Sequence, residues 1–510
     1  MTPVDKSAVV KALREMSAYL QLKGENAFKT RAYDIAADRI AGLSDDLAQL
    51  VAEGKLTGLP GIGESIGKKI SEYVTTGRMT ALEDLKKEFP PRFLELLEVQ
   101  SLGPKKAKAL FEQLGVGSID DLENACRQRQ VRGLKGFGPK TEKKLLAAVA
   151  LARRQQSSGA RKRLGDVLPT ANEMLDWVKA APKVQRASLA GSVRRMKETV
   201  ADVDIIASAP NAAQVFAHFE RHPKKSEVLA SGESKASVRL KELDLQVDLR
   251  VLPDEDFASA LHHLPVDLIC AEELQGNVHA HSTWSDGRDS LEAMARAAKA
   301  LGLTYLTVTE HSRTSGYAGG LTVDRLKAQW DEIDRINDTV KGITLLKGVE
   351  SDLLEDGSLD YPDSILKKLD VVIGSIHQRY GQDEEALTRR VLNAFDNPHL
   401  HIWGHPSGRL LLKREAAPLR MEEILDKAAE KRIAIEVNGC PERMDLAPEY
   451  VRQALQRGIK LVVSTDAHSV GELSSHIPFA IAAARRGWAR KADVLNALPA
   501  RDFVKALRRV

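Results

Sequence analysis

The sequence predicts a multidomain protein. The front is all-α, built from helices and Gly-rich hairpins; the middle is α+β; the back is a distorted seven-stranded β/α barrel. Three observations predict this. Three similar turns, each an apolar residue, a Gly-containing hairpin and a basic or small-polar helix start, fall between residues 59 and 145. A Gly-Ser pair, an Asp-x-Asp and a lone strand aspartate follow in order between residues 191 and 248. From residue 276 onward short apolar runs alternate with helical segments, and nearly every run ends on His, Asp or Glu.

Length and composition set the frame. A chain of 510 residues exceeds one ordinary core, and about two to four domains are expected. With 43% hydrophobic and 29% charged residues and no long apolar stretch, the expectation is a cytoplasmic protein with no membrane span. The N-terminus, MTPVDKSAVVKALREM, lacks a signal-peptide pattern. Cys126, Cys270 and Cys440 are odd in number and far apart, which fits reduced thiols rather than a disulfide framework. The net charge of +4 hides an asymmetry. Residues 1–165 carry 29 Lys and Arg against 20 Asp and Glu, and residues 166–510 carry 46 against 51. A basic front suits a polyanionic partner; the alternative is a solvated helical surface.

In the front, KSAVVKALREMSAYLQLKG has helical apolar spacing and stops at Gly24, and ENAFKTRAYDIAADRIAGL repeats the pattern. The three turns are LPGIGESIGKKI (59–70), VQSLGPKKAKAL (99–110) and LKGFGPKTEKKL (134–145). Gly61, Gly63, Gly103 and Gly138 let backbone approach a phosphate, and the first N–H groups of each following helix are unpaired and point outward. Lys105, Lys106 and Lys140 add charge. Nothing here reads bases, so binding is expected to be sequence-independent and salt-sensitive. The turns resemble helix-hairpin-helix elements, placing one such domain at 1–80 and a second, fingers-like one at 81–155. LPGIGESIGKKISEYVTTG also resembles the lyase domain of the X-family DNA polymerases. That resemblance makes Lys69 a catalytic lysine forming a Schiff base with an abasic sugar, its amine freed by the like charge of Lys68. The alternative is a pair of phosphate-contacting lysines.

After a polar linker, RRQQSSGARKRLGD (153–166), the pattern changes to strands. Asp202 and Asp204 sit two apart in an extended run, so they face the same way, and Asp248 lies within LDLQVDLRVL. Three such carboxylates nest two Mg²⁺ or Mn²⁺ ions that clamp a nucleoside triphosphate. Gly191, Ser192 and Arg195 then meet the outer phosphates. Residues 166–252 resemble the nucleotidyltransferase palm of X-family polymerases, which implies catalytic roles for the three aspartates and a dNTP as partner. Two departures stand out. Met196 and Ala201 occupy positions where that family has glycines. Only a shortened connection, 253–275, separates the palm from the back of the chain, with no aromatic-Thr-Gly-Ser segment; His262 and His263 read as filler in it. The thumb subdomain of the family is missing, and templated synthesis needs positioning as much as metal, so weak or absent polymerase activity is expected.

Residues 276–510 read as repeated βα units. NVHAH ends in His279 and His281, LTVTEH in His311, TLLKGVE in Glu350, DVVIGSIH in His377, IWGH in His405 and LVVSTDAH in Asp466 and His468; AIEVN ends in Asn438 instead. A barrel brings such strand exits together at its C-terminal face, and buried acids without partners there would be costly. H-x-H, Ser-Asp-Gly with Asp286, E-H, G-V-E, S-I-H, G-H-P and T-D-A-H resemble, in order, the motifs of the polymerase and histidinol phosphatase (PHP) domain. The resemblance implies up to three ions. His279 and His281 hold one with Glu350 and Asp466. Glu350 bridges to a second, held also by His377 and His405. A third takes Asp286, His311 and His468. Mn²⁺, Zn²⁺ or Fe²⁺ suit this mixed donor set, and close ions lower the pKa of water and steady charge on a phosphate. Arg409 is a candidate substrate-binding residue, or a surface residue. Asn277, where the family often has Asp, is expected to matter little.

Taken together, the chain resembles bacterial X-family polymerases with a fused PHP domain. That implies a DNA-repair enzyme acting on gapped, nicked or single-stranded DNA, with 3′-to-5′ exonuclease activity, and with 3′-phosphatase or abasic-site endonuclease activity as further candidates. Three other readings compete: a working gap-filling polymerase, a small-molecule phosphatase of the histidinol-phosphate type, and a non-catalytic DNA scaffold.

Overall fold

The structure, a computed structural model, describes residues 6–41, 47–59, 61–99, 102–157, 161–241, 243–260 and 267–508. The chain forms two compact units, residues 1–160 and 161–510.

The first unit is all-helical: α1 (Lys6–Lys23), α2 (Ala27–Ala41), α3 (Leu47–Ala52), α4 (Glu64–Thr76), α5 (Thr80–Lys87), α6 (Pro104–Leu114), α7 (Ile119–Arg127) and α8 (Pro139–Ser157). The three Gly turns are where helices begin. Gly63 is the N-cap of α4 and Gly103 the N-cap of α6. Gly138 accepts the N–H of Glu142 at the start of α8. Pro104 and Pro139 take the first helical position, where a missing N–H costs nothing. An aromatic ladder of Tyr19, Phe89, Phe93 and Phe111, with centroids 5.1 to 5.6 Å apart, runs from α1 to α6 through the core. The expected linker is shorter than 153–166. Helix α8 continues to Ser157, and the second unit is already ordered at β1 (Lys162–Arg163) and α9 (Leu164–Lys179). A helical pattern with good helix formers simply runs on through Arg153–Gln156.

The second unit opens with an α+β layer. Strands β2 (Arg186–Leu189), β3 (Thr199–Val200), β4 (Asp202–Ser208), β5 (Lys225–Ser231), β6 (Lys235–Leu240) and β7 (Leu245–Leu252) follow β1. Five of them form one sheet, ordered β2-β4-β7-β6-β5, in which only β4 and β7 run parallel. Helices α9, α10 (Gly191–Arg194) and α11 (Ala212–Phe219) accompany it. The described part of the connection 253–275 holds helix α12 (Asp254–Ala260) and a short 3-10 turn at Ala271–Glu273, and His262 and His263 lie outside the described residues.

The barrel strands are β8 (Gly276–Asn277), β9 (Tyr305–Val308), β10 (Thr344–Asp352), β11 (Val371–Ser375), β12 (Ile402–Trp403), β13 (Ala434–Asn438) and β14 (Leu461–Ser464). They are all parallel and neighbour one another in chain order. A bridge between Ala280 and Ala467 draws the two ends together, with the His281 N–H donating to Ala467 O at 2.9 Å. The interior is packed with Val278, Tyr305, Leu346, Val371, Ile373 and Ile402, and α20 (Ala500–Leu507) plugs one end, its Phe503 ring stacked on Tyr305 at 5.3 Å. Helices α13 (Leu291–Ala300), α14 (Val323–Thr339), α15 (Asp363–Leu366), α16 (Glu384–Phe395), α17 (Met421–Lys431), α18 (Pro448–Gln456) and α19 (Val470–Arg486) follow the strands.

Sheet layer and barrel share a core. Met444 and Phe479 of the barrel lie buried among the sheet layer's apolar residues. Glu198, just before β3, pairs with Arg486 at 2.8 Å and Arg409 at 3.5 Å. Among the described residues no helix is long and apolar enough to cross a membrane.

Candidate metal centre at the barrel mouth

Strand alternation explains why the barrel collects polar ligands at one end. On β10, Leu346 points into the packed interior, so Glu350 four residues on points the same way, one level higher. Ile373 sets the parity that carries His377, two residues past the end of β11. Val462 does the same for Asp466 beyond β14, and Ala434 for Glu436 within β13. The apolar layers become a polar layer where the strands end.

All nine expected side chains meet there. Ligand atoms of His281, Asp286, His311 and His468 lie within 4.8 Å of one another, as do those of His279, His281 and Glu350, and those of His311, Glu350 and His377. His405 joins through Nε2, 2.7 Å from Glu350 Oε1. Asp466 Oδ1 is 3.4 Å from His281 Nε2 and 3.6 Å from His279 Nε2. His281 and His311 each belong to two groups, so the partition into three separate sets is less sharp than the resemblance implied. Asp286 is delivered by the tight turn after His281. At Gly287 a Cβ would lie 2.6 Å from the backbone of Ser282, so only glycine fits.

The donor chemistry fits bound cations. His279 Nε2, both nitrogens of His281, His311 Nδ1, Glu350 Oε2, His377 Nε2 and His405 Nδ1 are buried and have no hydrogen-bond partner. Orphans of this number are costly without a ligand. His311 Nδ1 and Glu350 Oε2 approach to 2.9 Å yet do not meet hydrogen-bond geometry. Burial pushes the His281 imidazole down to about 3, helped by the charges of His468 and His311. Burial also opposes protonation of His311, but Glu350 and Asp286 outweigh it and carry that pKa up to about 10.

Sequence reading missed the residues that aim these ligands. Glu436, buried, sits 2.6 Å from His279 Nδ1 and accepts from Ser464 Oγ at 2.6 Å. A carboxylate can only accept, so Nδ1 carries the proton and the Nε2 lone pair faces the centre. Asp352 does the same for His377 Nδ1. Strand β10 runs two residues past Glu350 and ends at Asp352. Glu310 accepts from Ser282 N, 3.0 Å, and from Ser285 Oγ, bracing the loop that bears Asp286. The sequence signal for all three was available: an acid with the parity of a ligand, or next to one, on or just past an apolar strand. Asn277 does matter. Its Oδ1 accepts from Thr465 N at 3.0 Å and its Nδ2 donates to His279 O at 3.0 Å, tying the first strand exit to the last. Arg409 is not directed at the site. Its Nε donates to Arg443 O at 2.9 Å, its Nη2 donates to Met444 O, and it pairs with Glu198. The arginine at the site is Arg443, with Nε 3.5 Å from Asp466 Oδ2.

The aspartates of the sheet layer share one face. Asp204 of β4 stands opposite Asp248 of β7, and Asp202 opposite Gln246. Burial raises the Asp204 carboxyl, as do the charges of Asp202 and Asp248. Lys235 Nζ lies 2.7 Å from Asp248 Oδ2. Three facing acids suit a divalent ion, although among the described residues the groups with ligand atoms within 4.8 Å of one another all lie in the barrel. Gly191 has φ +57°, and a Cβ there would lie 1.8 Å from Asp204 Oδ2. Ser192 Oγ is buried without a partner, and Arg195 is exposed at the end of α10. Met196 takes φ +51°, a conformation that favours glycine.

In the helical unit, Gly61 has φ +87°. Lys105 and Lys140 are exposed at their helix starts, and Lys106 Nζ lies 5.9 Å from the Phe137 ring, so the second and third hairpins adjoin. Lys69 Nζ donates to Ser65 O and Ser65 Oγ at 3.2 and 3.0 Å, and Lys68 pairs with Glu64 at 3.1 Å.

A parallel barrel lined at its mouth by imidazoles and carboxylates, carried on one chain with tandem Gly hairpins, defines an enzyme of the phosphoesterase class with DNA-binding modules. Family models agree: a helix-hairpin-helix domain matches residues 4–79, a SAM-like helix-hairpin-helix tandem 93–150 and a PHP domain 277–440. A DNA polymerase/3′-5′ exonuclease PolX of Bacillus subtilis (strain 168) is 33% identical, with 99% of each chain covered. The chain belongs to the PolX family. Two probable phosphatases match part of the chain. One, of Thermoanaerobacter sp. (strain X514), is 32% identical over 37% of this chain and 74% of its own length. The other, of Clostridium novyi (strain NT), is 31% identical over 38% and 78%.

Proposed function

We propose that this PolX-family enzyme binds gapped, nicked or single-stranded DNA through its helical unit and hydrolyses phosphodiesters from the 3′ end at the barrel mouth. The observation that carries this reading is the set of buried, partnerless imidazole and carboxylate atoms around Glu350. His279, His281, Asp286, His311, Glu350, His377, His405, Asp466 and His468 would hold Mn²⁺ or Zn²⁺. Such ions supply Lewis-acid activation of water and neutralise charge on the phosphate. The chain's own part is to orient those ligands. Glu436 and Asp352 fix the tautomers of His279 and His377, and the Asn277 clamp holds the first and last strand exits together.

A 5′-labelled single strand incubated with Mn²⁺ is expected to shorten stepwise from its 3′ end. His279→Ala should slow this by about a hundredfold or more. Trimming by that variant at the wild-type rate would overturn the assignment. A histidinol-phosphatase-like reading draws on the probable phosphatases that match part of the chain, and would appear as monoester hydrolysis with DNA left intact. The palm carboxylates and a nucleotide remain a second candidate centre, and Lys69 a candidate lyase nucleophile or phosphate contact.

A further inference from the structure

Beside the barrel centre, two arginines and two tyrosines line one side of the mouth, and neither the ligand set nor its supports use them. Arg443 follows β13 on a loop pinned from both sides. Arg409 donates to the carbonyls of Arg443 and Met444. Asp445 accepts from Ser407 N, Ser407 Oγ and Gly408 N at 2.8 to 3.0 Å. The Arg443 guanidinium is thereby held against the centre: Nε is 3.5 Å from Asp466 Oδ2, while Nη1 is buried with no hydrogen-bond partner. A rigidly mounted guanidinium with an unspent buried N–H, next to acids that hold cations, is suited to a tetrahedral anion with oxygens to share.

Arg414 is tied to the same loop through Gly408, whose N–H donates to Asp445, two residues past Arg443. Its guanidinium sits 4.2 Å from the centroid of the Tyr380 ring, its Nε donates to Gly408 O at 2.9 Å, and the charge of Arg443 bears on it. Tyr317, 61% exposed, lies on the loop after His311, two residues past Ser315, whose Oγ donates to Asp352 Oδ2 at 2.9 Å, and so stands at the rim of the same mouth. Two neighbouring guanidiniums repel, and an anion that reaches both relieves the repulsion. A phosphomonoester offers one phosphate; a polynucleotide offers a second, one nucleotide away, and a base that an exposed tyrosine can stack on.

We propose that Arg443 binds the scissile phosphate and that Arg414, with Tyr317, takes the adjacent phosphate and base, so that the mouth selects a polynucleotide end over a single phosphate ester. This rests on the phosphodiesterase reading above.

The test uses the full chain loaded with Mn²⁺ and two substrates, a short oligothymidylate and the p-nitrophenyl ester of thymidine 5′-monophosphate, which carries one phosphate. In Arg414→Gln, kcat/KM for the oligonucleotide relative to that for the ester should fall about tenfold; in Arg443→Gln both should fall together, by about tenfold to a hundredfold. Arg443→Lys, which keeps the charge and loses the fork, should fall between wild type and Arg443→Gln. Bound manganese, measured directly, and the melting temperature should stay at wild-type values in all three. Competition by the dinucleotide pdTpdT should weaken about tenfold in Arg414→Gln. An unchanged substrate ratio in Arg414→Gln, or loss of manganese in Arg443→Gln, overturns the proposal, since the latter would make Arg443 a counter-charge for the acids. If wild type cleaves neither substrate, the phosphodiesterase reading itself fails.

Discussion

Glu436 shows how much a single side chain away from the reacting phosphate can decide. Its Oε1 fixes the tautomer of His279, and its Oε2 accepts from the backbone N–H of His405. Replacing it with glutamine keeps the volume but puts an amide where only an acceptor works. His279 could then carry its proton on Nε2, the nitrogen that faces the centre. Glu436→Gln should weaken manganese binding about tenfold to a hundredfold while the protein stays folded, as measured by titrating metal back into chelated protein. Wild-type affinity would mean the tautomer is set elsewhere. Arg409 carries the opposite lesson. It stands in a GHPSGR segment that reads like a phosphate contact, yet its donors are spent on backbone carbonyls and Glu198.

At the scale of elements, the Gly hairpins depend on what lies behind them. Glu142, at the start of α8 and 3% exposed, accepts from Arg132 N at 2.8 Å and from Arg132 Nε at 2.7 Å. Burial alone would raise its carboxyl pKa, but the Arg132 hydrogen bonds hold it below the usual carboxylate range. This pair clips the turn Val131–Gly133 onto the helix that presents Lys140. Glu142→Ala should cost about 2–3 kcal/mol locally, seen as faster amide exchange across residues 131–145 of the full chain. Exchange at the wild-type rate would show that apolar packing alone holds the hairpin. In the sheet layer the comparable support is β7, which brings Asp248 opposite Asp204, and Lys235 of β6 reaches Asp248.

For the whole molecule, the short connection weighs most. The alignment with the Bacillus subtilis PolX spans 573 positions against a chain of 510 residues. Residues 253–275 hold helix α12 and lead directly into the barrel. The sheet layer is locked to the barrel through Glu198, Met444 and Phe479. Primer extension on a gapped duplex with Mn²⁺ and dNTPs should therefore be weak or absent, because three aspartates without a closing element leave the incoming nucleotide unpositioned. Extension at a rate comparable to strand trimming, abolished by Asp202→Ala, would show that the sheet suffices.

The sequence alone determined what depends on short range and on period. Glycines before basic helices start α4, α6 and α8, alternation puts Asp202 and Asp204 on one face, and apolar runs that end in His or acid make the barrel strands. Local geometry needs only neighbours in the chain, so a periodic pattern reveals it. Tertiary structure decided which polar residues near the ligands do the aiming. Glu436 and Asp352 carry only the parity of a ligand in the sequence, Arg443 looks ordinary, and Arg409 looks chemical. Their roles depend on partners far away in the chain, 157 residues in the case of Glu436 and His279. Orientation of a buried hydrogen bond is a property of the closed barrel, because it exists only once strands distant in the chain stand side by side and exclude water.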